Sequence, residues 1–293
     1  MKAARILLTT LLAFVLVACW SSHGQTTSNP SLLRVALLPD ENATTVIQNN
    51  QPLKNYLQSK LGKQIELVVT TDYSSMIEAM RRGRLELAYF GPLSYVLARS
   101  KDPDVEPFAA LVEQAGGPPV YQALVIGNVG QNINAIADLN GKTVAYGDPA
   151  STSSHLIPKS MLADQGLRAG QNYQEQFVGA HDAVAFAVQN GNAAGGGISK
   201  PIFERLVQDG KIDSAKVHSV AESKPYPNYP WTMRSDLDAG LKAAIVNAFL
   251  TLTDPAVLKP FKAAGFARVS DADYDAVRAL SSQLGLDLSK LSK

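Results

Sequence analysis

A run of hydroxyl side chains follows the apolar segment KTVAY. The next nine residues, GDPASTSSH, carry four hydroxyl groups and a histidine at the point where a predicted strand gives way to a helix. The first backbone N–H groups of a helix have no partner within it and attract anions. Ser151, Thr152 and Ser153 would add hydroxyl donors there and form a neutral site for a small tetrahedral oxyanion. Ser and Thr are equally typical of a helix N-cap, so the spacing leaves both interpretations open.

A second candidate, His181, also lies after a strand and at a helix start, in VGAHDAVAFAV. A histidine there can donate a hydrogen bond and, when protonated, balance an anion. It is also a common structural residue at a helix end, and Asp182 beside it is a plausible N-cap. Aromatic side chains at strand ends, or at predicted crossings of the chain, form a third group, and the hydroxyls of its tyrosines can serve as donors. These are Tyr73, Tyr95, Tyr121, Tyr226, Tyr229 and Trp231.

Enzyme motifs are missing. The sequence has no GxSxG turn, no GxxxxGK[ST] loop and no HExxH helix. A secreted phosphoesterase with Ser153 or His181 as nucleophile is the alternative from another functional class. A zinc site built from histidines has little support, because there is no histidine-rich run and no second cysteine. We therefore expect a protein without catalytic residues, metal or cofactor.

The N-terminus has the pattern of an export signal. The basic start MKAAR precedes the apolar run ILLTTLLAFVLVA, which is shorter than the roughly 20 residues of a membrane span. The tail LVAC resembles a bacterial lipobox, which implies cleavage of residues 1–18 and lipid attachment to Cys19, the single cysteine of the chain. Residues 19–31 then form a polar tether, and the protein is expected outside the cytoplasm, anchored to a membrane rather than embedded in it.

Strand-like and helical patterns alternate along the remaining chain. Its 293 residues are 46% hydrophobic, and a net charge of +1 gives no basic field for nucleic acid. The β-α-β-α-β order, repeated in a second block, predicts an α/β protein with parallel, doubly wound sheets. We assign residues 32–121 and 230–293 to lobe 1 and residues 122–229 to lobe 2. The pattern predicts a glycine-rich turn at GGGISK, an extended segment before Trp231 and a helical C-terminal third.

Four stretches together resemble one family. They are the lipobox, DYSSMIEAMRRGRLELAYFGPLSYVLA, ADLNGKTVAYGDPASTSSHLIP and GAHDAVAFAVQNG. In this combination the chain resembles the phosphonate/phosphite substrate-binding proteins of bacterial ABC importers (the PhnD type). The resemblance implies a two-lobed periplasmic-binding fold of type II, with the ligand held in a cleft between lobes. Carried over to this chain, it implies that Ser151, Thr152, Ser153 and His181 hold the P–O oxygens. On the same grounds Tyr73 and Tyr121 face them from the other lobe.

The chain departs from family members that bind aminoalkylphosphonates. Those members place carboxylates against the ammonium group, whereas the corresponding stretches here, GGGISKPIF and PYPNYPW, contain no acid, and Lys200 has the opposite sign. A buried ammonium without a partner is costly. We therefore expect phosphite or a short alkylphosphonate such as methylphosphonate, with Tyr229 and Trp231 against its P–H or P–CH₃ side. Phosphate would place a polar oxygen there and lose a hydrogen-bond partner, which would weaken its binding by about 1–3 kcal/mol.

The expected function is capture of this ligand by hinge closure and delivery to an ABC permease of the inner membrane, with the protein acting as a monomer. Binding of phosphate or another oxyanion is the alternative within the same class. A sensor that presents the ligand to a receptor would share the fold and the pocket.

Overall fold

The computed structural model describes residues 28–286, which form two large sheets with helices on their faces and a two-stranded ribbon. The predicted export signal, the lipid attachment at Cys19 and most of the tether lie outside the described residues. The strands are β1 Leu32–Leu37, β2 Gln64–Val69, β3 Leu87–Tyr89, β4 Val105–Val112, β5 Val120–Tyr121, β6 Ala123–Asn128, β7 Thr143–Tyr146, β8 Gln174–Phe177, β9 Gly195–Ser199, β10 Val217–Glu222, β11 Tyr226–Pro227, β12 Pro230–Arg234 and β13 Gly265–Arg268.

Several helices begin or end at residue types that are typical of helix termini. Asp72 and Asp238 accept hydrogen bonds from backbone N–H groups in the first turn, and Gly62 ends a helix in the left-handed conformation at φ 63°. The helices are α1 Ala43–Asn49, α2 Gln51–Leu61, α3 Tyr73–Arg81, α4 Pro92–Lys101, α5 Ile157–Asp164, α6 His181–Gln189, α7 Lys200–Gln208, α8 Ala239–Leu250, α9 Pro255–Leu258 and α10 Asp275–Gln283.

The first sheet has the order β13-β4-β12-β3-β1-β2 and is built from the two ends of the described chain. Strands β1, β2 and β3 run parallel, as the alternating pattern predicts, but β12 and β13 pair antiparallel with their neighbours. The prediction of a purely parallel sheet was therefore wrong for half of it. Strand β13 also interrupts the C-terminal third, which the sequence pattern predicted to be helical.

The second sheet has the order β10-β6-β9-β7-β8. Its central strand β9 is the segment GGGIS, which the sequence analysis predicted to be a turn. Glycine is needed there by packing, because an added Cβ at Gly196 would lie 2.6 Å from Val184 Cγ1, and one at Gly195 would lie 2.8 Å from the Ile126 carbonyl oxygen. Two separate apolar clusters cover the sheet, one including Val184 and Phe203 and the other including Tyr146 and Leu162. Helices therefore flank both faces.

The chain passes between the sheets at a short two-stranded ribbon. Strand β5 leaves the first sheet and β11 returns to it, and they pair antiparallel with Tyr226 opposite Tyr121. Strand β10, within the predicted extended segment, belongs to the second sheet. Among residues 28–286 no single helix is long and apolar enough to cross a membrane. Helix α8 and the helical segment Pro255–Phe261 reach that length and apolar character only together, and the chain bends by 89° between them.

Candidate oxyanion-binding site

The hydroxyl run forms a π-helical turn, Thr152–Leu156, between β7 and α5. Pro158 lies in the first turn of α5 and lacks an N–H, so the Ser154 carbonyl oxygen is free to accept from Gly147 N–H at 3.3 Å. The Ser154 hydroxyl binds the Gly147 N–H at 2.9 Å and donates to the Gly197 carbonyl of β9. These hydrogen bonds attach the turn to the second sheet. The hydroxyls at the N-terminal end of the turn are buried against residues of the half of the molecule that contains the first sheet.

Two of the three predicted hydroxyls, those of Ser151 and Thr152, accept hydrogen bonds from backbone N–H groups. Ser151 Oγ accepts from Ser154 N–H at 3.1 Å, which is the N-cap bond that the sequence left open. Thr152 Oγ1 accepts from Leu93 N–H, at the start of α4, at 2.7 Å. A hydroxyl has one hydrogen and can accept twice. Ser151 and Thr152 therefore act as acceptors in these bonds and keep their own O–H for another acceptor, so capping and anion binding are compatible.

His181 presents a neutral donor. Its Nδ1 accepts a hydrogen bond from Ser199 N–H at 3.1 Å, so the ring hydrogen must lie on Nε2. Burial lowers the pKa of His181 to about 3, which keeps the ring uncharged at neutral pH. Nε2 is buried and has no partner within the described residues. Of the two roles that the sequence allows His181, the hydrogen bond from Ser199 favours the neutral N–H donor over the protonated ring.

Three tyrosines surround the hydroxyl turn. The Tyr229 hydroxyl lies 3.2 Å from Ser153 Oγ, and the Tyr121 ring stands edge-on to Tyr229 with centroids 5.1 Å apart. The Tyr121 hydroxyl is buried beside Thr152 and Ser153 and lacks a hydrogen-bond partner of ordinary geometry in the described chain. Tyr73 is also buried beside Ser151. Burial raises the pKa of each of these tyrosines, so all three are neutral donors.

Two predicted residues lie elsewhere. The Tyr95 hydroxyl donates to Asp271, and its ring packs on Tyr274 with centroids 4.9 Å apart, so its donor is used in the fold of the first half. Trp231 is completely buried in the core between Tyr89 and Phe249, at 4.9 and 4.8 Å. Neither side chain faces the hydroxyl turn. Both side chains are held by contacts with residues that are distant in the sequence. Local sequence patterns do not reveal such contacts.

A cavity of about 100 Å³ lies between the two halves, and no residue of the hydroxyl turn lines it directly. Tyr121 and Tyr229 line it, and they join it to the turn through Ser153. Two residues that sequence reasoning missed also line it, Asp40 and Tyr89. Asp40 follows β1 as Ser151 follows β7, and this position after a strand was the available signal. Among residues 28–286 no group of three or more metal-ligating side chains is found.

Contacts between the two halves enclose this cavity. The Asp40 carbonyl oxygen accepts from His181 N–H at 2.8 Å, and Asp148 accepts from Tyr73 N–H at 3.2 Å. Arg205 of α7 forms an ion pair with Glu41, which lies just after β1. The geometry is that of a cleft with its two walls in contact. Tyrosines and charged side chains, among them Asp40, Glu41 and Arg205, line its cavity, and the hydroxyl turn lies behind Tyr229. The neutral O–H groups of this turn and its tyrosines can donate to the oxygens of a small oxyanion.

Two sheets flanked by helices, a double crossing between them and a donor-lined cleft define a two-lobed periplasmic-binding protein of type II, as the resemblance implied. The chain belongs to the family described as phosphonate periplasmic substrate-binding proteins of ABC transporters, whose model matches residues 35–274. Members are substrate-binding components of importers and not enzymes, so the phosphoesterase alternative is set aside. The same family membership places the protein outside the cytoplasm.

Curated relatives and a solved structure agree with this family. The chain is 28% identical over 284 residues to the phosphate-import protein PhnD of Mycolicibacterium smegmatis, covering 89% of this chain and 88% of the relative. It is 22% identical over 274 residues to the probable phosphite binding protein PhnD1 of Prochlorococcus marinus, covering 88% and 91%. The structure of that PhnD1 with methylphosphonate has a TM-score of 0.80 at 21% identity, covering 88% of this chain and 99% of the other.

Proposed function

We propose that the protein captures a small phosphorus oxyanion without an amine, phosphite or a short alkylphosphonate such as methylphosphonate, and delivers it to an ABC permease. One observation supports this proposal: two buried donors, His181 Nε2 and the Tyr121 hydroxyl, have no hydrogen-bond partner of ordinary geometry among the described residues. Buried polar groups are normally satisfied, so unpartnered donors between the two halves point to a ligand that accepts hydrogen bonds. Beside Tyr121, the hydroxyls of Ser151, Thr152, Ser153 and Tyr229 are further neutral donors for such a ligand.

The apolar side of the ligand would contact aromatic rings. With Trp231 in the core, this wall is made by Tyr229 and Tyr89, whose centroids are 5.5 Å apart. A P–H or P–CH₃ group is compatible with ring carbons, whereas the fourth oxygen of phosphate would lose a hydrogen bond there, at a cost of about 1–3 kcal/mol. Phosphate is the second candidate, because the relative from M. smegmatis bears the name of a phosphate-import protein.

Calorimetric titration of the purified protein tests the ligand class. Phosphite, methylphosphonate, aminoethylphosphonate and phosphate are added in turn. Saturation at one ligand per chain, at least tenfold tighter for phosphite or methylphosphonate than for phosphate, supports the proposal. Equal affinity for phosphate and phosphite would overturn the role of the aromatic wall, and preference for aminoethylphosphonate would overturn the amine-free pocket. Absence of binding by all four would overturn the assignment of a phosphorus ligand.

The membrane anchor is a separate part of the proposal. We infer from the lipobox resemblance that Cys19 carries lipid and that the folded part is tethered to a membrane. Cells producing the wild-type chain are compared with cells producing Cys19→Ser. The protein from each is distributed between the detergent phase and the aqueous phase of a phase-separating detergent. Wild type should enter the detergent phase with lipid on its first residue by mass spectrometry, and Cys19→Ser should stay aqueous. Equal partitioning of both would contradict lipidation.

A further inference from the structure

Asp40 is one of the acidic residues in the wall of the cavity, beside Glu41 and Glu113. It follows β1, lines the cavity with Tyr121 and Tyr229, and is tied to the opposite half by the hydrogen bond from His181 N–H to its carbonyl oxygen. Its side chain is close enough to raise the pKa of four tyrosine hydroxyls by its charge. These are Tyr73, Tyr89, Tyr121 and Tyr229. The carboxylate therefore faces the region in which the ligand oxygens would lie.

The charged groups around Asp40 leave its carboxylate without a dedicated cation. Glu41 and Asp182 are also acidic, and Arg205, the basic residue that lowers its pKa, already forms hydrogen bonds to both oxygens of Glu41. No other side chain in residues 28–286 is found donating a hydrogen bond to Asp40. Burial and the neighbouring acids raise the pKa of Asp40 well above its usual value. Asp40 is partly exposed, and its own backbone N–H is the hydrogen-bond donor that lowers its pKa. A carboxylate beside a bound anion is costly unless a proton lies between them.

We propose that Asp40 is a specificity-determining residue that shares one proton with the bound oxyanion, so that the site accepts ligands able to carry a P–OH hydrogen. This inference rests on the proposed function. The donors of the hydroxyl turn, Tyr121 and His181 bind the unprotonated oxygens, and Asp40 pairs with the remaining one. The proton comes from the ligand, from Asp40 or from solvent, and it stays between the two oxygens. No bond other than hydrogen bonds forms or breaks.

The consequence is selection against strong acids of the same shape. Phosphonates and phosphite lose their second proton near neutral pH, as a phosphate monoester does at a pKa of about 6. Sulfonates and sulfate carry no proton at that pH, so they can bind only when Asp40 itself is protonated. Once Asp40 has lost its proton, the wild-type protein should therefore reject methanesulfonate. Its affinity for methylphosphonate should fall as the pH rises, by up to tenfold per unit once neither partner holds the proton.

Asp40→Asn tests this assignment, since the amide is nearly the same size and its N–H₂ donates permanently. The matched control is Glu113→Gln, because Glu113 lines the same cavity but, unlike Asp40, is not among the main charges that raise the pKa of the four tyrosines. Purified full-length proteins are titrated with methylphosphonate and methanesulfonate at pH 6, 7 and 8. Repetition in buffers of different ionisation enthalpy measures proton uptake. Thermal unfolding of each variant, measured in parallel, verifies that it is folded.

We expect the Asp40→Asn protein to gain methanesulfonate binding by at least tenfold, to lose the pH dependence for methylphosphonate and to take up no proton. Glu113→Gln should behave as wild type. If wild type binds methylphosphonate but Asp40→Asn has the same selectivity, pH profile and proton uptake, the shared proton is overturned while the proposed function stands. Loss of an aminoethylphosphonate preference in Asp40→Asn would also overturn it, since Asp40 would then pair with an ammonium. No phosphorus ligand bound by wild type would instead overturn the proposed function.

Discussion

His181 shows how a single hydrogen bond decides what a residue can do. The Ser199 N–H on Nδ1 fixes the hydrogen on Nε2, and burial keeps the ring neutral. Substitution by Asn or by Gln separates the roles of the two ring nitrogens. The amide group of Asn lies where Nδ1 lies in histidine, whereas the amide group of Gln reaches the position of Nε2. His181→Asn should weaken methylphosphonate binding by roughly 10–100-fold, as expected for a lost hydrogen bond to a charged group of about 1.5–3 kcal/mol. His181→Gln should lose less than half of that free energy.

Calorimetry with methylphosphonate measures both His181 variants beside wild type. Equal losses in the two variants would contradict a donor role for Nε2. They would show that the ring acts only by packing or through Ser199.

His155 gives a prediction about stability, away from the cavity. Its Nδ1–H donates to the Pro149 carbonyl at 2.7 Å, its ring packs on Tyr146 and Phe177, and burial lowers its pKa to about 4. The unfolded chain takes up this proton near pH 6.5. The contribution of neutral His155 to folding stability is therefore present above pH 6.5 and is lost as the pH falls towards 4, by about 3 kcal/mol in total.

His155→Asn keeps the donor to Pro149 and removes the titration. Urea unfolding at pH 7, 5.5 and 4.5 should find the variant less stable at pH 7, with a difference from wild type that shrinks as the pH falls. A difference that stays constant over this range would contradict the lowered pKa.

Among the elements, the packing of β9 against the π-helical turn is the structural feature on which the site depends most. A Cβ added at Gly197 would lie 2.5 Å from Pro158 Cγ and 3.0 Å from the Ser154 carbonyl oxygen. Gly197→Ala should therefore push the turn outwards, cost about 1–3 kcal/mol of folding stability and reduce methylphosphonate affinity. Gly130→Ala, on the surface and with only Asn128 Oδ1 nearby at 3.3 Å, is the control. Urea unfolding and calorimetry measure both; equal effects would contradict this packing role.

The same element shows the limits of sequence reasoning. The hydroxyl turn and the start of α6 were predictable because both follow a strand and begin a helix, a local arrangement that marks ligand sites in α/β sheets. Strand β9 was not, because three glycines in a row indicate a turn until the neighbours that exclude a Cβ are known. Tyr95 and Trp231 were misplaced for a related reason, since Asp271 and Phe249 are distant in sequence. Asp40 was missed because an acid was sought only where relatives bind an ammonium.

At the scale of the whole molecule, two ion pairs between residues of the described part of the chain join the halves at the cleft, and they differ in burial. Glu41 and Arg205 are largely buried, whereas Glu204, paired with Lys262 at 3.3 Å, is half exposed. Breaking a buried pair is costly, and an exposed pair contributes about 0–1 kcal/mol. Glu41→Gln should favour separation of the halves and speed methylphosphonate release at least fivefold, while Glu204→Gln should change it less than twofold. Stopped-flow fluorescence measures release; equal rates would contradict a clamp at Glu41.

The two-lobed fold was predictable from the strand and helix order combined with the family resemblance. The crossing of the chain at β5 and β11 lies close to Tyr121 and Tyr229, where the sequence placed it. The antiparallel pairing of β12 and β13 was not predictable, because strands that enter a sheet from a distant part of the chain leave no local signal of their direction.

The central claim is that the hydroxyl turn holds a phosphorus oxyanion, and calorimetric titration of methylphosphonate into Ser153→Ala and Tyr95→Phe tests it most directly. Both changes remove one buried hydroxyl, but only that of Ser153 lies in the cleft, 3.2 Å from the Tyr229 hydroxyl. Ser153→Ala should bind roughly 10–100-fold more weakly than wild type, and Tyr95→Phe should bind as wild type does. Unchanged affinity in Ser153→Ala, or an equal loss in Tyr95→Phe, would contradict the assignment of the ligand to this turn.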